Sequence, residues 1–217
     1  MPSFESNLKS IALEDQPRVA SRRMRDDGAI KLAVRVNSLL EKTHGIITIT
    51  GVGNNSGSSY IALDVAQALA DFNQEKKVLV IDVSFNRPHL HTDFNIPISP
   101  GLLNVLQSQN SIDDALAFSG VPGLYVLPAG LNQSKCSAQA LMHNLSRLLS
   151  TLRDSFDTIL LSTPDILRSH DAEYFSSQSD SVIVVIRSGE VSKPQLRKII
   201  SRISSSGSKL FGVVLSH

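Results

Sequence analysis

The 217-residue sequence has one cysteine, no tryptophan and no long apolar run. The single cysteine, Cys136, excludes an internal disulfide and a four-cysteine zinc site. No stretch of about 18 apolar residues is available to cross a bilayer, and residues 1–4 lead into no apolar signal core. We therefore expect a cytoplasmic protein that is stabilised without disulfides.

An excess of charge of one sign is also lacking. The chain has 21 Lys and Arg residues against 20 Asp and Glu residues, which gives a formal net charge of +1. This balance excludes a polyanion binder that works through a strong basic field, so we expect no nucleic-acid partner. With 41% hydrophobic and 19% charged residues, the chain can bury a core, which excludes wholesale disorder.

Short runs rich in Val, Ile and Leu alternate with helical patterns along most of the chain. The predicted strands are residues 46–50, 78–82, 124–127, 158–161, 182–186 and 210–215. The predicted helices are residues 29–40, 59–72, 102–107, 112–118, 138–152, 170–177 and 193–205. Repeated strand-then-helix order predicts an α/β fold with a doubly wound, mostly parallel sheet flanked by helices. Ligand sites in such sheets follow the carboxyl ends of strands, here after Thr50, Asp82, Leu161 and Ile186.

The first 27 residues differ from the rest of the chain. They mix acidic and basic side chains with little apolar periodicity, which predicts a flexible arm at residues 1–27. A cluster of Arg22, Arg23 and Arg25 could contact acidic lipid or a partner, although a solvated tail is the simpler interpretation. We find no internal repeat and no long linker afterwards, so residues 28–217 are predicted to form one domain.

A glycine loop, residues 51–59, stands between the first predicted strand and a helix. This order aims backbone N–H groups and a helix N-terminus at a phosphate. The candidate phosphate contacts in the loop are Gly53, Asn54, Asn55, Ser56, Gly57, Ser58 and Ser59. A working phosphate loop reads G-x-x-x-x-G-K-[ST], but here Gly57 is followed by Ser58 instead of lysine, and only the next hydroxyl, Ser59, is retained. The same residue types also make ordinary turns and helix caps.

Several further short segments follow the loop in order. They are residues 78–82, 86–91, 100–106, 112–116, 122–130, 156–164, 171–172 and 212–215. Together with the loop, they resemble the cytoplasmic ATPase domain of the bacterial tyrosine kinases of capsule and exopolysaccharide systems. That family belongs with division-site and plasmid-partition ATPases, so the resemblance implies a P-loop NTPase-like fold of the MinD/ParA type.

The resemblance also implies departures in the reaction chemistry. Active relatives have lysine where this sequence has Ser58, and aspartates where it has Ser84 and Ser162, whereas Asp82 is retained. In that family the acidic residues hold magnesium and the lysine neutralises the transferring phosphoryl group, as phosphoryl transfer requires. We therefore expect no catalytic residue and no required cofactor; ATP or ADP, if bound at all, would show weak or no magnesium dependence. Ser59 and Asp82 would be metal ligands only with a bound magnesium nucleotide.

The leading hypothesis is a catalytically inactive pseudokinase that regulates or scaffolds exopolysaccharide or capsule biosynthesis and export. Its expected partner is an inner-membrane chain-length or co-polymerase protein, or an active kinase paralogue, and either would bring it to the membrane periphery. The first alternative is an active ATPase or tyrosine kinase that uses Asp82 and Arg87 in an altered site. The second alternative is a localisation or pilus-assembly factor of the partition-ATPase group.

A few other residues were candidates for chemistry or assembly. Arg87 could contact a phosphate or form a surface salt bridge. His89 and His91 are predicted to have a surface or interface role, because no ligand set accompanies them. Cys136 is predicted to be an inert thiol, because the neighbouring sequence has no basic cluster beyond Lys135.

The family's ring-forming Glu-x-x-Arg-x-x-Arg helix would align with Ala29, Leu32 and Arg35 and is matched only at Arg35, so ring assembly through this motif is not expected. A homo-oligomer formed in another way stays an open alternative.

Overall fold

The computed structural model describes residues 27–40, 44–53, 56–72, 75–131 and 138–216. Apart from Asp27, the predicted arm lies outside these ranges, as do Asn54, Asn55 and Cys136. Within them the strands are β1 Gly45–Val52, β2 Val78–Asp82, β3 Ala117–Phe118, β4 Leu124–Leu127, β5 Thr158–Ser162, β6 Ser181–Arg187 and β7 Lys209–Ser216. The helices are α1 Asp27–Leu40, α2 Ser58–Phe72, α3 Leu90–Asp93, α4 Leu102–Leu106, α5 Ile112–Ala115, α6 Ala138–Arg153, α7 His170–Ser177 and α8 Lys193–Ser205.

The described strands form one sheet in the order β3-β4-β2-β5-β1-β6-β7. All neighbouring pairs are parallel except β3 with β4. The predicted α/β architecture with a doubly wound, mostly parallel sheet is therefore confirmed. Because β5 lies between β1 and β2, the loops that follow these three strands open side by side at the carboxyl edge of the sheet.

The sheet is covered by helices on both faces. Every residue of β1, β2, β4 and β5 is buried, which accounts for their continuous apolar runs. On one face Ile47 packs in a cluster with Val36 of α1 and Leu69 of α2. On the other face Ile46 packs in a cluster with Leu149 of α6. Among the described residues, no helix is both long and apolar enough to cross a membrane.

The predicted helix at residues 112–118 was wrong in its last three residues. The helix begins with a capping box in which the Asp114 N–H donates to the Ser111 hydroxyl and the Ser111 N–H donates to the Asp114 carboxylate. The hydroxyl and the N–H of Ser111 both donate to this carboxylate and lower the pKa of Asp114. It ends at Ala115, and Leu116 turns to extended backbone with φ −73° and ψ 133°. The next residues form β3, in which Phe118 pairs with Tyr125 of β4 and contacts its ring edge to face. Pairing with a distant strand therefore overrides the local helical pattern.

Candidate functional site

A cleft of about 570 Å³ opens at the carboxyl ends of β1, β2 and β5. It is lined by parts of the glycine loop, by residues 83–87 after β2 and by residues 163–165 after β5. Three of the four loops singled out by the sheet pattern therefore meet at one site. The fourth loop, after β6, supplies Glu190 to a smaller cavity of about 380 Å³, which shares Gly53, Asp165 and Arg168 with the cleft.

The glycine loop is tightly turned. Gly53 and Gly57 have φ angles of +85° and +75°, in the left-handed region that favours glycine. At Gly51 there is no room for a side chain, because a Cβ atom would lie 2.7 Å from the Ser58 hydroxyl. Ser56 and Ser58 are buried, and their hydroxyls lie 3.4 Å apart. The helix α2 begins at Ser58, so a neutral hydroxyl stands where a phosphate loop carries its lysine.

The predicted site residues fall into two layers. Those that line the cleft are Gly53, Ser56, Gly57, Ser58, Ser59, Ser84 and Arg87. Asp82 and Ser162 lie beneath it and have no exposed surface. In the register of the sheet these two residues are direct neighbours on β2 and β5, so the sheet itself brings them together.

The retained Asp82 is bonded to the backbone around it. Its Oδ1 accepts the N–H of Ser84 at 2.9 Å. Its Oδ2 accepts the N–H groups of His89 at 2.8 Å and Leu90 at 3.0 Å. Charge-assisted bonds of this kind are about twice as strong as neutral ones, so the carboxylate braces the connection between β2 and α3. A metal ion would have to compete with three backbone donors for these oxygens.

His89, for which a surface or interface role is predicted, lines the cleft. Its side chain is 21% exposed, and its Nδ1 lies 3.6 Å from Asp82 Oδ2. Its Nε2 lies 3.3 Å from the hydroxyl of Ser162. Contacts that run from a serine through a histidine to an aspartate are typical of a hydrolytic triad. Here, however, Ser162 is wholly buried, so its hydroxyl is not accessible to a substrate. We interpret the contacts as bracing between β5 and the β2–α3 connection.

The wall of the cleft carries charge of both signs. Arg87 and Arg168 are its basic residues, and Asp165 and Asp171 are its acidic residues. Arg168 lies 3.6 Å from Asp165, whereas in the part of the chain that the structure describes Arg87 forms no ion pair. The surface salt bridge considered for Arg87 is thus not found there. Across the described ranges, no group of three His, Cys, Asp or Glu side chains is arranged to hold a metal.

The fold and the loop at the sheet edge define the class of protein, a P-loop NTPase-like domain. The chain belongs to the AAA domain family, whose sequence model matches residues 45–210. It is homologous to bacterial tyrosine kinases. It is 26% identical over 212 residues to the tyrosine-protein kinase ptk of Acinetobacter johnsonii, covering 98% of this chain and 28% of the relative. With the tyrosine-protein kinase YwqD of Bacillus subtilis it is 29% identical over 170 residues, covering 78% and 71%.

Solved structures agree with this assignment. The kinase domain of VpsO superposes with a TM-score of 0.78 at 25% identity, covering 100% of this chain and 99% of that one. The cell division ATPase MinD of Pyrococcus furiosus superposes with a TM-score of 0.66 at 22% identity, covering 79% and 71%. The resemblance to bacterial tyrosine kinases and to MinD/ParA-type ATPases is therefore confirmed. The chain spans 28%, 26% and 26% of the length of the first three curated relatives it matches.

Proposed function

We propose that this protein is a non-catalytic member of the bacterial tyrosine-kinase family, a pseudokinase that regulates or scaffolds exopolysaccharide or capsule assembly. The observation that carries the proposal is the hydrogen bonding of the Asp82 carboxylate. It is the one acidic residue retained from the family's reaction centre, and its carboxylate is bonded to three backbone N–H groups. We infer that the protein keeps the shape of a phosphate site, whereas the Asp82 carboxylate stabilises the connection between β2 and α3.

The neutral serines support the same function. A hydrogen bond to a charged group contributes about 1.5–3 kcal/mol, so Ser58 in place of lysine weakens nucleotide affinity about ten- to a hundredfold. Magnesium at nucleotide sites is held through carboxylates, water and phosphate oxygens. Ser84 and Ser162 supply only neutral oxygens, and the Ser162 hydroxyl already contacts His89. Loss of the cation and of two metal-holding acids together removes the groups on which phosphoryl transfer depends.

The proposed partner is the cytoplasmic part of an inner-membrane chain-length or co-polymerase protein, or an active kinase paralogue. This proposal is supported by the homology to bacterial tyrosine kinases and by the retained segments at residues 86–91 and 100–106. Binding to such a partner would place a cytoplasmic protein at the inner membrane. Deletion of the gene is expected to reduce polymer export, and a variant that binds no nucleotide is expected to restore it.

The biochemical test is ATP turnover by the purified protein. We expect no steady hydrolysis and no tyrosine phosphorylation with magnesium ATP. The Asp82→Asn variant is the matched control, because a contaminating ATPase acts equally in both preparations. Wild-type turnover that Asp82→Asn abolishes would overturn the proposal. Calorimetry with ATP and ADP gives a second readout. Magnesium-dependent binding with a Kd below about 10 μM would contradict a site that has lost its nucleotide chemistry.

A further inference from the structure

Asp165 connects the wall of the cleft to the glycine loop. Its side chain is 14% exposed, and its Oδ2 accepts the backbone N–H of Gly53 at 2.9 Å. Its Oδ1 accepts the N–H of Leu167 at 2.7 Å in an Asx turn. The guanidinium of Arg168 lies 3.6 Å from Oδ2. A carboxylate of the protein is therefore hydrogen-bonded to a backbone donor of the loop.

The segment that carries Asp165 is held in place independently of this carboxylate. The N–H of Thr163 donates to the Ile49 carbonyl at 3.1 Å, and the N–H of Ile166 donates to the Gly51 carbonyl at 3.2 Å. The hydroxyl of Thr50 donates to the Pro164 carbonyl at 2.8 Å. Because these bonds fix the backbone on either side, a change of the Asp165 side chain alone removes the contact with Gly53 and leaves the segment in position.

The carboxylate has a direct consequence for ligands. Phosphate loops bind anions through backbone N–H groups that face the ligand. Here Asp165 uses one donor of the loop and adds a negative charge to the wall of the cleft. Ser58 supplies no compensating cation, and the nearby Arg168 already contacts Asp165. A ligand that carries several phosphate charges therefore meets repulsion from Asp165, which Arg168 beside it weakens in part. Arg87, the other basic residue of the cleft wall, is exposed at its rim and does not pair with Asp165.

We propose that Asp165 is an internal anion that holds the glycine loop in place of a phosphate group and keeps phosphate-rich ligands out of the cleft. The inference rests on the proposed function in so far as the cleft keeps its phosphate-binding shape. It adds the residue that determines which ligands the cleft accepts. Removal of this one charge converts a poor anion site into a better one, without restoring catalysis.

The test measures the binding of magnesium-free ATP and of inorganic phosphate to the full chain by calorimetry. Asp165→Asn keeps an acceptor for the Leu167 N–H, frees the Gly53 N–H and removes the charge. We expect it to bind ATP about tenfold more tightly than the wild type, the effect of one charge-assisted contact. Asp171→Asn is the matched control, because it removes an exposed charge from the same cleft. It is expected to change affinity by less than about threefold, because an exposed charge is screened.

Two further readouts keep the inference falsifiable. Asp165→Glu keeps the charge and is expected to bind no tighter than the wild type. The amide NMR signal of Gly53 is expected to shift in Asp165→Asn and to shift again when phosphate is added to that variant. Equal gains in Asp165→Asn and Asp171→Asn, or no gain in Asp165→Asn, would overturn the inference. Turnover by the wild type would overturn the proposed function alone, so the two failures are distinguishable.

Discussion

His89 donates its backbone N–H to the buried carboxylate of Asp82 at 2.8 Å, seven residues along the chain. Leu90 donates to the same oxygen, and Ser84 donates to the other one. The chain between β2 and α3 is thereby folded around a single buried negative charge. The described geometry therefore gives Asp82 a role in holding the fold.

Substitution of Asp82 is therefore expected to affect stability. Asp82→Ala leaves three backbone N–H groups without their acceptor, so we expect the free energy of unfolding to fall by about 3 kcal/mol. Asp82→Asn is the control for charge, because it keeps one acceptor oxygen, and its loss should be intermediate. Urea denaturation monitored by circular dichroism measures both values. A loss below about 0.5 kcal/mol for Asp82→Ala would show that the bonds do not brace the fold.

The second prediction concerns the missing cation of the glycine loop. Ser58 stands at the start of α2 in the cleft, so Ser58→Lys places a positive charge near any bound phosphate. We expect ATP affinity to rise about ten- to a hundredfold in calorimetry. Ser58→Met has a long uncharged side chain and should give no gain. Because Ser84 and Ser162 are unchanged, Ser58→Lys should still not hydrolyse ATP, and steady turnover by this variant would contradict the role assigned to the missing acids.

Most of the architecture follows from local sequence patterns. The strands β2 and β4 were predicted to the residue, and β1, β5, β6 and β7 to within two residues at each end. Except in the edge strand β7, whose residues are exposed or half-buried, these runs are apolar because both faces of the strands are buried, which leaves a strong local signal. In contrast, β3 has two residues and exists through its pairing with β4, so residues 117–118 carry no pattern that distinguishes them from the end of a helix.

The position of the site was predictable, whereas two of its contacts were not. The rule that ligands bind at the carboxyl edge of a parallel sheet placed Ser58, Ser84 and Arg87 at one cleft. The contact of His89 with Ser162 was not predicted, because it joins residues 73 positions apart. Asp165 was missed for the same reason, since its bond to Gly53 joins residues 112 positions apart. Both contacts join distant parts of the chain, so only the folded structure shows them.

The third prediction tests the close packing inside the glycine loop. A Cβ atom at Gly51 would lie 2.7 Å from the Ser58 hydroxyl and 2.9 Å from the Ser56 Cβ. Gly51→Ala must therefore displace the loop, and we expect a loss of about 1–3 kcal/mol in the free energy of unfolding, as for other overpacked sites. Gly212→Ala is the matched control, because a Cβ there meets no atom within 4 Å. Equal stability of the two variants would contradict the described packing of the loop.

The fourth prediction is that Arg87 contacts the phosphate groups of a bound ligand. Arg87 is exposed at the rim of the cleft and, among the described residues, makes no ion pair, so its charge is available to an anion. In the Ser58→Lys background, where binding is tight enough to measure, Arg87→Gln should weaken ATP binding about tenfold, as expected for loss of one charged contact. Arg197→Gln removes an exposed charge from α8 and should change affinity by less than about twofold, because an exposed charge outside the cleft is largely screened. An unchanged affinity in Arg87→Gln would show that the rim arginine takes no part in binding, and that any anion is held by the loop alone.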